Sequence, residues 1–564
     1  MKRNLYTIFL SILMVLPFGL LSQTHYADWV KTIENAAENS SFNNVVFDGQ
    51  NYILNGYYTG QANYGNFVFP GGLSPNGVVI KVNDAGEPIW VTTIDGSGLE
   101  MFYDLVIDSE KNIILTGWTS TYDTLYVNGV PVFEAGGEYT NRCITAKLSG
   151  VDGSLMWFKY ITALEYAAIN STKLTLDEDD NIYISGYYSC PFEVDGIQLP
   201  YTKFYGDDLF ILKLTPEGIA VWGQHIPAIE DGGYATIRSI KANEDGLYFS
   251  MEYYKPYIVN GTALPYSGDY YWLAVAKASM QSGVIENIYA FGTPGGQLIQ
   301  EIELDQAGNI LVVGFFSADF PLTIGDVTLQ GKGYNDGFLF KMNHELQVLW
   351  AKPMGGEYTD IAFNVQVGDN DQIFVGGGFD CYSDFYYNNE VVLNAQMPNS
   401  LSNFYVVTDG DGNFIQSAGM YGHWQETILS FNSAVTKVND GQLEVYSAGY
   451  FYDSVYFVQG QPSFGFHNTG YFYKWQLPYV TGTSAREHPR ADFAVYPNPV
   501  TDYLWVNPAG TAVKAEIINV DGKVVETFEV FEAASFPVGH LANGSYLVRL
   551  TAPNLTQSFR VIKK

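Results

Sequence analysis

A chain of 564 residues is too long for one ordinary core and is expected to fold as two or more units. Its 28 basic and 60 acidic residues give a net charge of −32, which argues against nucleic acid and anionic lipid as partners, because both require basic surfaces. Aromatic residues make up 16% of the chain, a high content that suits an all-β protein. The three cysteines, Cys143, Cys190 and Cys381, form no CxxC pair and predict neither a disulfide framework nor a zinc site.

The first 22 residues have the pattern of a secretory signal peptide. Lys2 and Arg3 precede an apolar stretch from Ile8 to Leu21, which is 14 residues long. That length is too short for a membrane helix, which needs about 20 residues. Ser22 offers a small residue for cleavage, and no cysteine follows it to carry a lipid anchor. No other stretch is apolar enough for a membrane span, so we expect a mature chain that is exported and soluble.

Residues 25–480 contain a repeat, which the stretch 301–356 shows best. Turn residues separate four runs of apolar, β-branched and aromatic residues, namely Glu301–Leu304, Ile310–Phe316, Phe338–Met342 and Val348–Lys352. The third run ends in lysine in six of seven units, at steps of 66, 66, 64, 64, 67 and 66 residues. The seven positions are Lys81, Lys147, Lys213, Lys277, Lys341, Thr408 and Lys474. Four strands per repeated unit are typical of a propeller blade.

Other markers follow the same spacing. The second run usually ends in a glycine with aromatic residues after it, as in Gly56-Tyr57-Tyr58. A tryptophan follows the lysine after nine or ten residues in four units, at Trp90, Trp157, Trp222 and Trp350. Asn-Gly and Asp-Gly pairs between the second and third runs predict small type I′ hairpins.

The seventh unit has no fourth run after Lys474, whereas an extra run containing Trp29 lies ahead of the first unit. This N-terminal run is similar to the fourth runs around Trp157 and Trp350. It is therefore predicted to complete the last blade beside Tyr471–Leu477 and to close the ring. The sequence thus predicts an all-β fold with a seven-bladed β-propeller over 25–480. Six or eight blades are the alternative if one unit is misassigned.

The fifth unit carries the repeat pattern most completely, in Gly314-Phe-Phe-Ser317, Asp336-Gly-Phe338, Lys341-Met342 and Gly355-Gly356. These residues resemble a family of secreted bacterial β-propeller repeats. The resemblance covers about the same residues as the repeat and implies a fold but no activity.

A polar linker at 481–490 separates the repeat from a different segment at 491–564, whose alternating strands and Asp-Gly and Asn-Gly turns predict a small C-terminal β-sandwich. Its motifs resemble the type A C-terminal sorting domain of cargo for the bacterial type IX secretion system. The motif residues are Tyr496, Pro497, Asn498, Pro499, Asp521, Gly522, Asn543, Gly544, Tyr546, Arg560 and Lys563. The resemblance implies the type IX secretion machinery as a partner, passage to the cell surface or medium, and removal of this domain.

Catalytic and metal-binding motifs are absent from the sequence. The seven histidines form no HExxH pair, and no GxSxG, GxxxxGK or strand-linked GxGxxG pattern occurs. Asp409-Gly-Asp411-Gly-Asn413 begins like a calcium loop, but Phe414 and Met420 replace the glycine and glutamate of an EF-hand. Ordinary turn chemistry is the favoured interpretation. We predict no cofactor, no metal site and no catalytic residue.

Two repeated series remain as candidates. The lysines could form a ring of charges around a channel, but solvated lysines alternating with buried apolar residues are the favoured interpretation. The aromatic residues could stack on sugar rings, although packing between blades is favoured for any single residue. As a set, the best ligand-facing candidates are Tyr58, Trp118, Tyr188, Tyr254, Phe316, Phe379 and Phe451.

Two functional hypotheses follow. One is a non-enzymatic module that binds a surface glycan or a protein, and the other is a carbohydrate-active hydrolase or lyase on a propeller scaffold. The fold does not discriminate between them. The missing motifs favour binding. Unit six, around Cys381 and Asp384, departs most from the repeat but shows no acid/base pair.

If the tail is processed as the resemblance implies, the cut falls in exposed, irregular backbone that a peptidase can bind. Only the segment from Thr481 to Ala491 has that character, because Gly482, Ser484 and Pro489 oppose regular structure. We expect protein from the cell surface to end between Thr481 and Asp492, as measured by mass spectrometry of its C-terminal peptide. A terminus inside 29–478, or one that retains Lys564, would contradict this prediction.

Overall fold

The computed structural model describes residues 27–478 and 494–564, apart from short gaps. The gaps are 73, 136–140, 162–167, 203–205, 231, 269, 369, 396–399, 421–426, 440, 459–460, 497–499, 502, 508–512, 520–522, 531–533 and 553–554. The predicted signal peptide and linker lie outside the described residues. The described part is all-β, and it contains no helix long and apolar enough to cross a membrane. The chain divides into two compact units, Met1–Thr481 and Gly482–Lys564.

The β-rich runs of the repeat form the strands of the first unit. Its first nineteen strands are β1 Trp29–Thr32, β2 Ser40–Phe47, β3 Tyr52–Thr59, β4 Ala62–Tyr64, β5 Phe67–Phe69, β6 Pro75–Val82, β7 Pro88–Asp95, β8 Glu100–Ile107, β9 Ile113–Thr119, β10 Thr124–Val127, β11 Val130–Glu134, β12 Arg142–Leu148, β13 Leu155–Ile161, β14 Ile169–Leu176, β15 Ile182–Tyr188, β16 Phe192–Val194, β17 Ile197–Leu199, β18 Asp208–Leu214 and β19 Ala220–Ile226.

The later strands of this unit follow the same order. They are β20 Tyr234–Asn243, β21 Gly246–Tyr254, β22 Ile258–Val259, β23 Thr262–Ala263, β24 Trp272–Ala278, β25 Ile285–Phe291, β26 Gln297–Leu304, β27 Ile310–Ser317, β28 Leu322–Ile324, β29 Val327–Leu329, β30 Asn335–Met342, β31 Val348–Gly355, β32 Asp360–Val367, β33 Ile373–Asp380, β34 Phe385–Tyr387, β35 Glu390–Leu393, β36 Ser400–Thr408, β37 Phe414–Met420, β38 Thr427–Asn439, β39 Gln442–Val458 and β40 Gln461–Pro478.

Antiparallel arrays of four strands follow one another along the chain, and we number them sheets 1 to 7. In each of the first six, four strands pair in chain order: β2-β3-β6-β7, β8-β9-β12-β13, β14-β15-β18-β19, β20-β21-β24-β25, β26-β27-β30-β31 and β32-β33-β36-β37. The four runs predicted in 301–356 are the four strands of sheet 5. Small hairpins lie between second and third strands, and Asn128 and Gly129 in one of them have φ of 49° and 73°, as a type I′ turn requires.

Sheet 7 consists of β38, β39, β40 and the N-terminal strand β1. The predicted position of Trp29 beside Tyr471–Leu477 is confirmed, because Trp29 pairs with Lys474 and Thr32 with Tyr471. A short parallel pairing of β36 with β38 joins sheets 6 and 7 into one larger sheet. The first strand of each sheet contacts the first strand of the next, and β38 contacts β2, so the series of contacts closes on itself.

Five of the six repeat lysines form ion pairs and are largely buried, so both interpretations drawn from the sequence, a channel ring and a solvated face, are wrong for them. Lys474 pairs with Glu444 and Asp84, whereas Lys277 lies over the Tyr248 ring. Each of the other four pairs with an aspartate directly after the first strand of its own sheet. The Nζ–Oδ2 distances are 2.7 Å for Lys81–Asp48, 2.8 Å for Lys147–Asp108, 3.4 Å for Lys213–Asp177 and 2.7 Å for Lys341–Asp305. Burial alone would raise the pKa of Asp305, but hydrogen bonds from Lys341 and Asn309 outweigh burial and hold that pKa below its usual value.

The same lysines reach into the next sheet. Lys81 Nζ donates to the carbonyl of Gly150 at 2.7 Å, and Lys341 Nζ to that of Gly410 at 3.0 Å, both in the turn between the third and fourth strands of the following sheet. The repeat tryptophan contacts that turn as well. A Cβ on Gly412, which has φ of 74°, would lie 2.8 Å from the Trp350 ring. Lysine, aspartate, tryptophan and turn thus form a clamp between neighbouring sheets.

Sheets 4 and 6 vary the clamp in a consistent way. In sheet 4, Asn287 replaces the tryptophan and donates to the Glu345 carbonyl at 2.7 Å in the turn of sheet 5. In that turn of sheet 5, Leu346, buried and with φ of 64°, replaces the glycine. In sheet 6, strand pairing places Val407, not Thr408, at the lysine position, and Gln416 at the tryptophan position. In sheet 7 no turn joins the third strand to the fourth, because the fourth strand is the N-terminal β1. Val407 and Gln416 therefore have no such turn to contact.

The described residues of the second unit form seven strands in two antiparallel sheets, β41-β42-β45 and β44-β43-β46-β47. These strands are β41 Ala494–Tyr496, β42 Tyr503–Asn507, β43 Val513–Ile518, β44 Val524–Val530, β45 Ala534–Pro537, β46 Gly544–Ala552 and β47 Leu555–Lys563. Buried residues of both sheets, including Leu504, Val506, Ile517 and Leu550, share one apolar cluster.

Removing one member of a clamp should cost far more than removing an exposed ion pair. Lys341→Met leaves the Asp305 carboxylate buried without its cation, which we expect to cost about 3–5 kcal/mol of unfolding free energy. Lys159→Met is the control, because its partner Asp195 is 35% exposed and such pairs contribute about 1 kcal/mol or less. Urea unfolding measures both effects. Asp305→Asn added to Lys341→Met should recover part of the loss, and equal costs for the two single variants would contradict the clamp.

Candidate functional site

The aromatic residues predicted to face a ligand mostly face the interior. Tyr58, Tyr188, Phe316 and Phe379 are 0% exposed and Phe451 is 1% exposed. The Tyr58 hydroxyl donates to the Pro70 carbonyl at 2.5 Å, and the Tyr188 hydroxyl to the Pro200 carbonyl at 2.6 Å. These rings therefore pack the sheets together and line no open surface. Trp118 and Tyr254 are only partly buried; Trp118 donates to the Tyr103 hydroxyl at 3.2 Å.

The seven first strands share a β-bulge at the same position. Strand pairing skips one residue in each of them, and the seven bulge residues are Asn43, Tyr103, Thr172, Arg238, Gln300, Phe363 and Asn432. A bulge changes the direction of a side chain, because it interrupts the regular alternation of side chains between the two faces of the sheet. Three of them donate to a carbonyl of the neighbouring first strand, as Asn43 does to Phe102 at 2.8 Å.

These bulges lie beside a cavity of about 640 Å³. Every first strand contributes to its lining, with Asn44, Tyr103, Thr172, Arg238, Glu301, Asn364 and Asn432. Tyr234 is the first residue of β20 and Asp207 directly precedes β18, and both lie at the end of the sheets opposite the clamps, which we call the loop end. Tyr234 and Tyr271 are 52% and 43% exposed, so the cavity has open aromatic faces.

An ion pair between Arg238 and Glu252 forms part of the cavity wall. Arg238 Nη2 lies 2.5 Å from Glu252 Oε1. Glu252 is only 6% exposed, and its Oε2 and the Arg238 Nε have no hydrogen-bond partner among the described residues. By contrast, Glu301 in the same cavity accepts bonds from Asn364 Nδ2 at 2.9 Å and from the Val365 amide at 3.0 Å. The Arg238–Glu252 pair therefore has unused hydrogen-bonding capacity.

Three carboxyl groups in the cavity have a raised pKa, and burial is the main cause for each, including Glu301. Burial and the neighbouring Asp208 raise the pKa of Asp207 to about 6. Burial raises the pKa of Glu252 as well, and Arg238 offsets only part of that increase. Perturbed carboxyl groups in a cavity are typical of functional sites. Among the described residues, no group of three or more His, Cys, Asp or Glu side chains could hold a metal ion.

The fourth unit of the repeat carries a sequence signal for this site. In sheet 4 the residue paired with the repeat lysine Lys277 is Tyr248, and Glu252 follows Tyr248 by four positions. The residues at the same position in sheets 1, 2 and 3 are Tyr57, Trp118 and Tyr187. Sheet 4 thus replaces a repeat aromatic residue by an acid and also loses the repeat glycine, which Met251 replaces. The same register makes Tyr253, not Tyr254, the counterpart of Tyr58. The acidic turn at Asp409, by contrast, is ordinary turn chemistry, since Asp409 Oδ1 accepts bonds from two backbone amides of its own turn.

The described sorting-motif residues of the second unit lie on its strands or directly beside them. Tyr496 ends β41, Asn543 directly precedes β46, Gly544 begins β46 and Tyr546 lies within it. Arg560 and Lys563 lie in β47, where Lys563 pairs with Gly544. Pro497, Asn498, Pro499, Asp521 and Gly522 lie outside the described residues.

Residues 494–564 match the family described as the secretion system C-terminal sorting domain. This confirms the resemblance found in the sequence motifs. It also establishes export to the cell surface or medium and an interaction with the type IX secretion machinery. No curated protein matches the chain.

Three solved structures that resemble the chain have low identity and low TM-scores. A protein of unknown function from Dyadobacter fermentans is 9% identical, with a TM-score of 0.34 over 80% of this chain and 99% of its own. PorZ, an essential surface component of the type IX secretion system of Porphyromonas gingivalis, is 10% identical with a TM-score of 0.14, over 94% of this chain and 100% of its own. A Bombyx mori GH32 β-fructofuranosidase in complex with sucrose is 10% identical with a TM-score of 0.22, over 70% and 87%. Scores this low do not guide an assignment of function.

The raised pKa of Asp207 makes a prediction about stability. Its folded value of about 6 lies above the value of about 3.9 for an unfolded chain, so ionisation of Asp207 lowers stability as pH rises between them. Asp207→Asn should therefore raise the thermal midpoint more at pH 8 than at pH 5. Glu217→Gln, at an exposed carboxylate, is the control and should have a much smaller pH-dependent effect. An Asp207→Asn gain that is the same at both pH values would show that the Asp207 carboxyl has an ordinary pKa.

Proposed function

We propose that this chain, a cargo of the type IX secretion system, is a non-enzymatic module that binds glycans at the cell surface or in the medium through its loop-end cavity. The observation that carries the proposal is the Arg238–Glu252 pair in the cavity wall, in which Glu252 is buried, Arg238 is partly exposed and both keep unpaired hydrogen-bonding atoms. An unpaired buried polar atom costs free energy that a ligand with matching groups would recover.

We propose further that sheets 1 to 7 are the blades of a seven-bladed β-propeller and that the second unit is a small β-sandwich. The closed series of contacts between first strands and the completion of sheet 7 by β1 support the first assignment. The apolar cluster shared by two antiparallel sheets supports the second. In a propeller the first strands surround a central channel, which accounts for a cavity lined by all seven of them.

A glycan suits the chemistry of the cavity wall. Tyr234 and Tyr271 present open rings, on which the C–H faces of a sugar can stack. Arg238, Glu252 and Asp207 offer donors and acceptors for hydroxyl groups. A few polar groups placed among aromatic faces are typical of small-molecule sites. A protein ligand is the alternative within the same proposal.

A carbohydrate-active hydrolase or lyase is the second candidate. It is favoured by one observation, that Asp207 and Glu252 line the same cavity and both have a raised pKa. A glycosidase needs two carboxyl groups with different proton affinities across the scissile bond. Product analysis on any glycan that binds separates the two candidates, since turnover would assign the enzyme.

We expect the mature chain to bind oligosaccharides on a glycan array and to lose at least tenfold in affinity with Tyr271→Ala, because the variant removes a stacking face. Tyr126→Ala is the matched control, since Tyr126 is 38% exposed on the hairpin β10–β11, and its affinity should stay unchanged. Isothermal titration with the best hit measures both variants. Binding that survives Tyr271→Ala, or that Tyr126→Ala also removes, would place the site elsewhere.

A further inference from the structure

We propose that the ligand of the loop-end cavity is a neutral sugar, held at two adjacent hydroxyl groups by Arg238 and Glu252. This inference rests on the proposed function and specifies its ligand chemistry.

Each member of the pair keeps one kind of unused group. Glu252 Oε1 accepts a hydrogen bond from Arg238, and Glu252 Oε2 has no described partner. Arg238 Nε has no described partner either. Rotation about the terminal bond of a glutamate is broad and roughly two-fold, so either oxygen can turn towards the cavity. The Arg238 side chain is 37% exposed, so the outer N–H groups of its guanidinium are accessible beside the carboxylate, and the wall offers an acceptor and a donor side by side.

Two neighbouring hydroxyl groups match this arrangement. One donates to the carboxylate, and the other accepts from the guanidinium while its own proton remains free. Hydrogen bonds that involve a charged group are the stronger ones, and they add free energy where the protein atoms are otherwise unpaired. An amide offers the same two functions, but the exposed rings of Tyr234 and Tyr271 favour a ligand with a flat, weakly polar face.

The charges of the cavity favour a neutral ligand. Glu252, Asp207 and Glu301 lie in the wall and disfavour an anionic sugar such as a uronic acid. Arg238 and Lys173 lie in the same wall and disfavour a cationic amino sugar. Because both signs are present, a ligand with a full charge of either sign meets a like charge at close range.

Sheet 4 is specialised for this contact. Its bulge residue Arg238 bonds to Glu252 in its own sheet, whereas Asn43, Thr172 and Asn432 use the equivalent position to hold a carbonyl of the neighbouring sheet. Glu252 replaces the aromatic residue found at this position in sheets 1, 2 and 3. The two departures from the repeat occur in one sheet and contact each other.

The test uses the mature chain on an array that carries neutral, uronic-acid and free-amino oligosaccharides together with unglycosylated peptides. We expect hits among neutral sugars, and at least a tenfold loss with Glu252→Gln, which keeps the side-chain volume but removes the charge. Deoxy analogues of the best hit should lose at least tenfold when either of two adjacent hydroxyl groups is removed, and less than threefold at the other positions. Arg238→Lys should also weaken binding, because lysine lacks the planar fork of donors.

Two controls keep the outcomes distinct. Tyr126→Ala should leave affinity unchanged, and the thermal midpoints of Glu252→Gln and Arg238→Lys should show that both variants are folded. Hits confined to charged sugars or peptides, or a Glu252→Gln variant with unchanged affinity, overturn this inference but leave a binding module that Tyr271→Ala still disables. Absence of binding to every sugar and peptide overturns the proposed function and this inference with it.

Discussion

The ion pair between a buried lysine and a buried aspartate is the interaction on which the arrangement of the sheets depends. Burying two charges is costly, and it is tolerated only when further hydrogen bonds complete the geometry. In sheet 5 the lysine finds its aspartate within its own sheet and its additional acceptor, the Gly410 carbonyl, in the next one. The group that satisfies the buried charge is therefore the group that fixes the neighbouring sheet. Four sheets, those of Lys81, Lys147, Lys213 and Lys341, use the same aspartate–lysine pair.

Because the clamps fix one end of the sheets, the other end can vary. At the clamp end the turns repeat closely. Even between sheets 4 and 5, where the clamp differs, both sides of the contact are replaced together: Asn287 stands in place of the tryptophan and Leu346 in place of the turn glycine. At the loop end the bulge residues differ in every sheet but two, and they range from phenylalanine to arginine. A binding site needs side chains that can change without unfolding their support, so the loop end is the place where the fold permits one.

Much of the fold could be predicted from the sequence, because each strand carries its own local signal. Runs of β-branched and aromatic residues between turn residues located the four strands of sheet 5, and the similarity of the Trp29 run to other fourth strands located β1. Side-chain environments could not be predicted in the same way. The aspartate partner of each lysine lies 33 to 39 residues earlier, so the ion pair has no local pattern. A bulge shifts the alternation of inward and outward side chains by one residue, so the sequence pattern did not predict that Arg238 faces the cavity.

The two units that depart from the repeat differ in kind, and strand pairing explains the difference. Sheet 6 lacks the aspartate, the lysine and the tryptophan at once, with Gly368, Val407 and Gln416 in the corresponding places. These residues would clamp a turn that sheet 7 does not have, because β1 comes from the other end of the chain. Their loss thus has a structural cause. No missing partner explains the change at Glu252, since the neighbouring sheets are complete there. Glu252, which replaces the aromatic residue, pairs with the bulge residue Arg238 and remains incompletely paired, and this supports the ligand site proposed for the cavity.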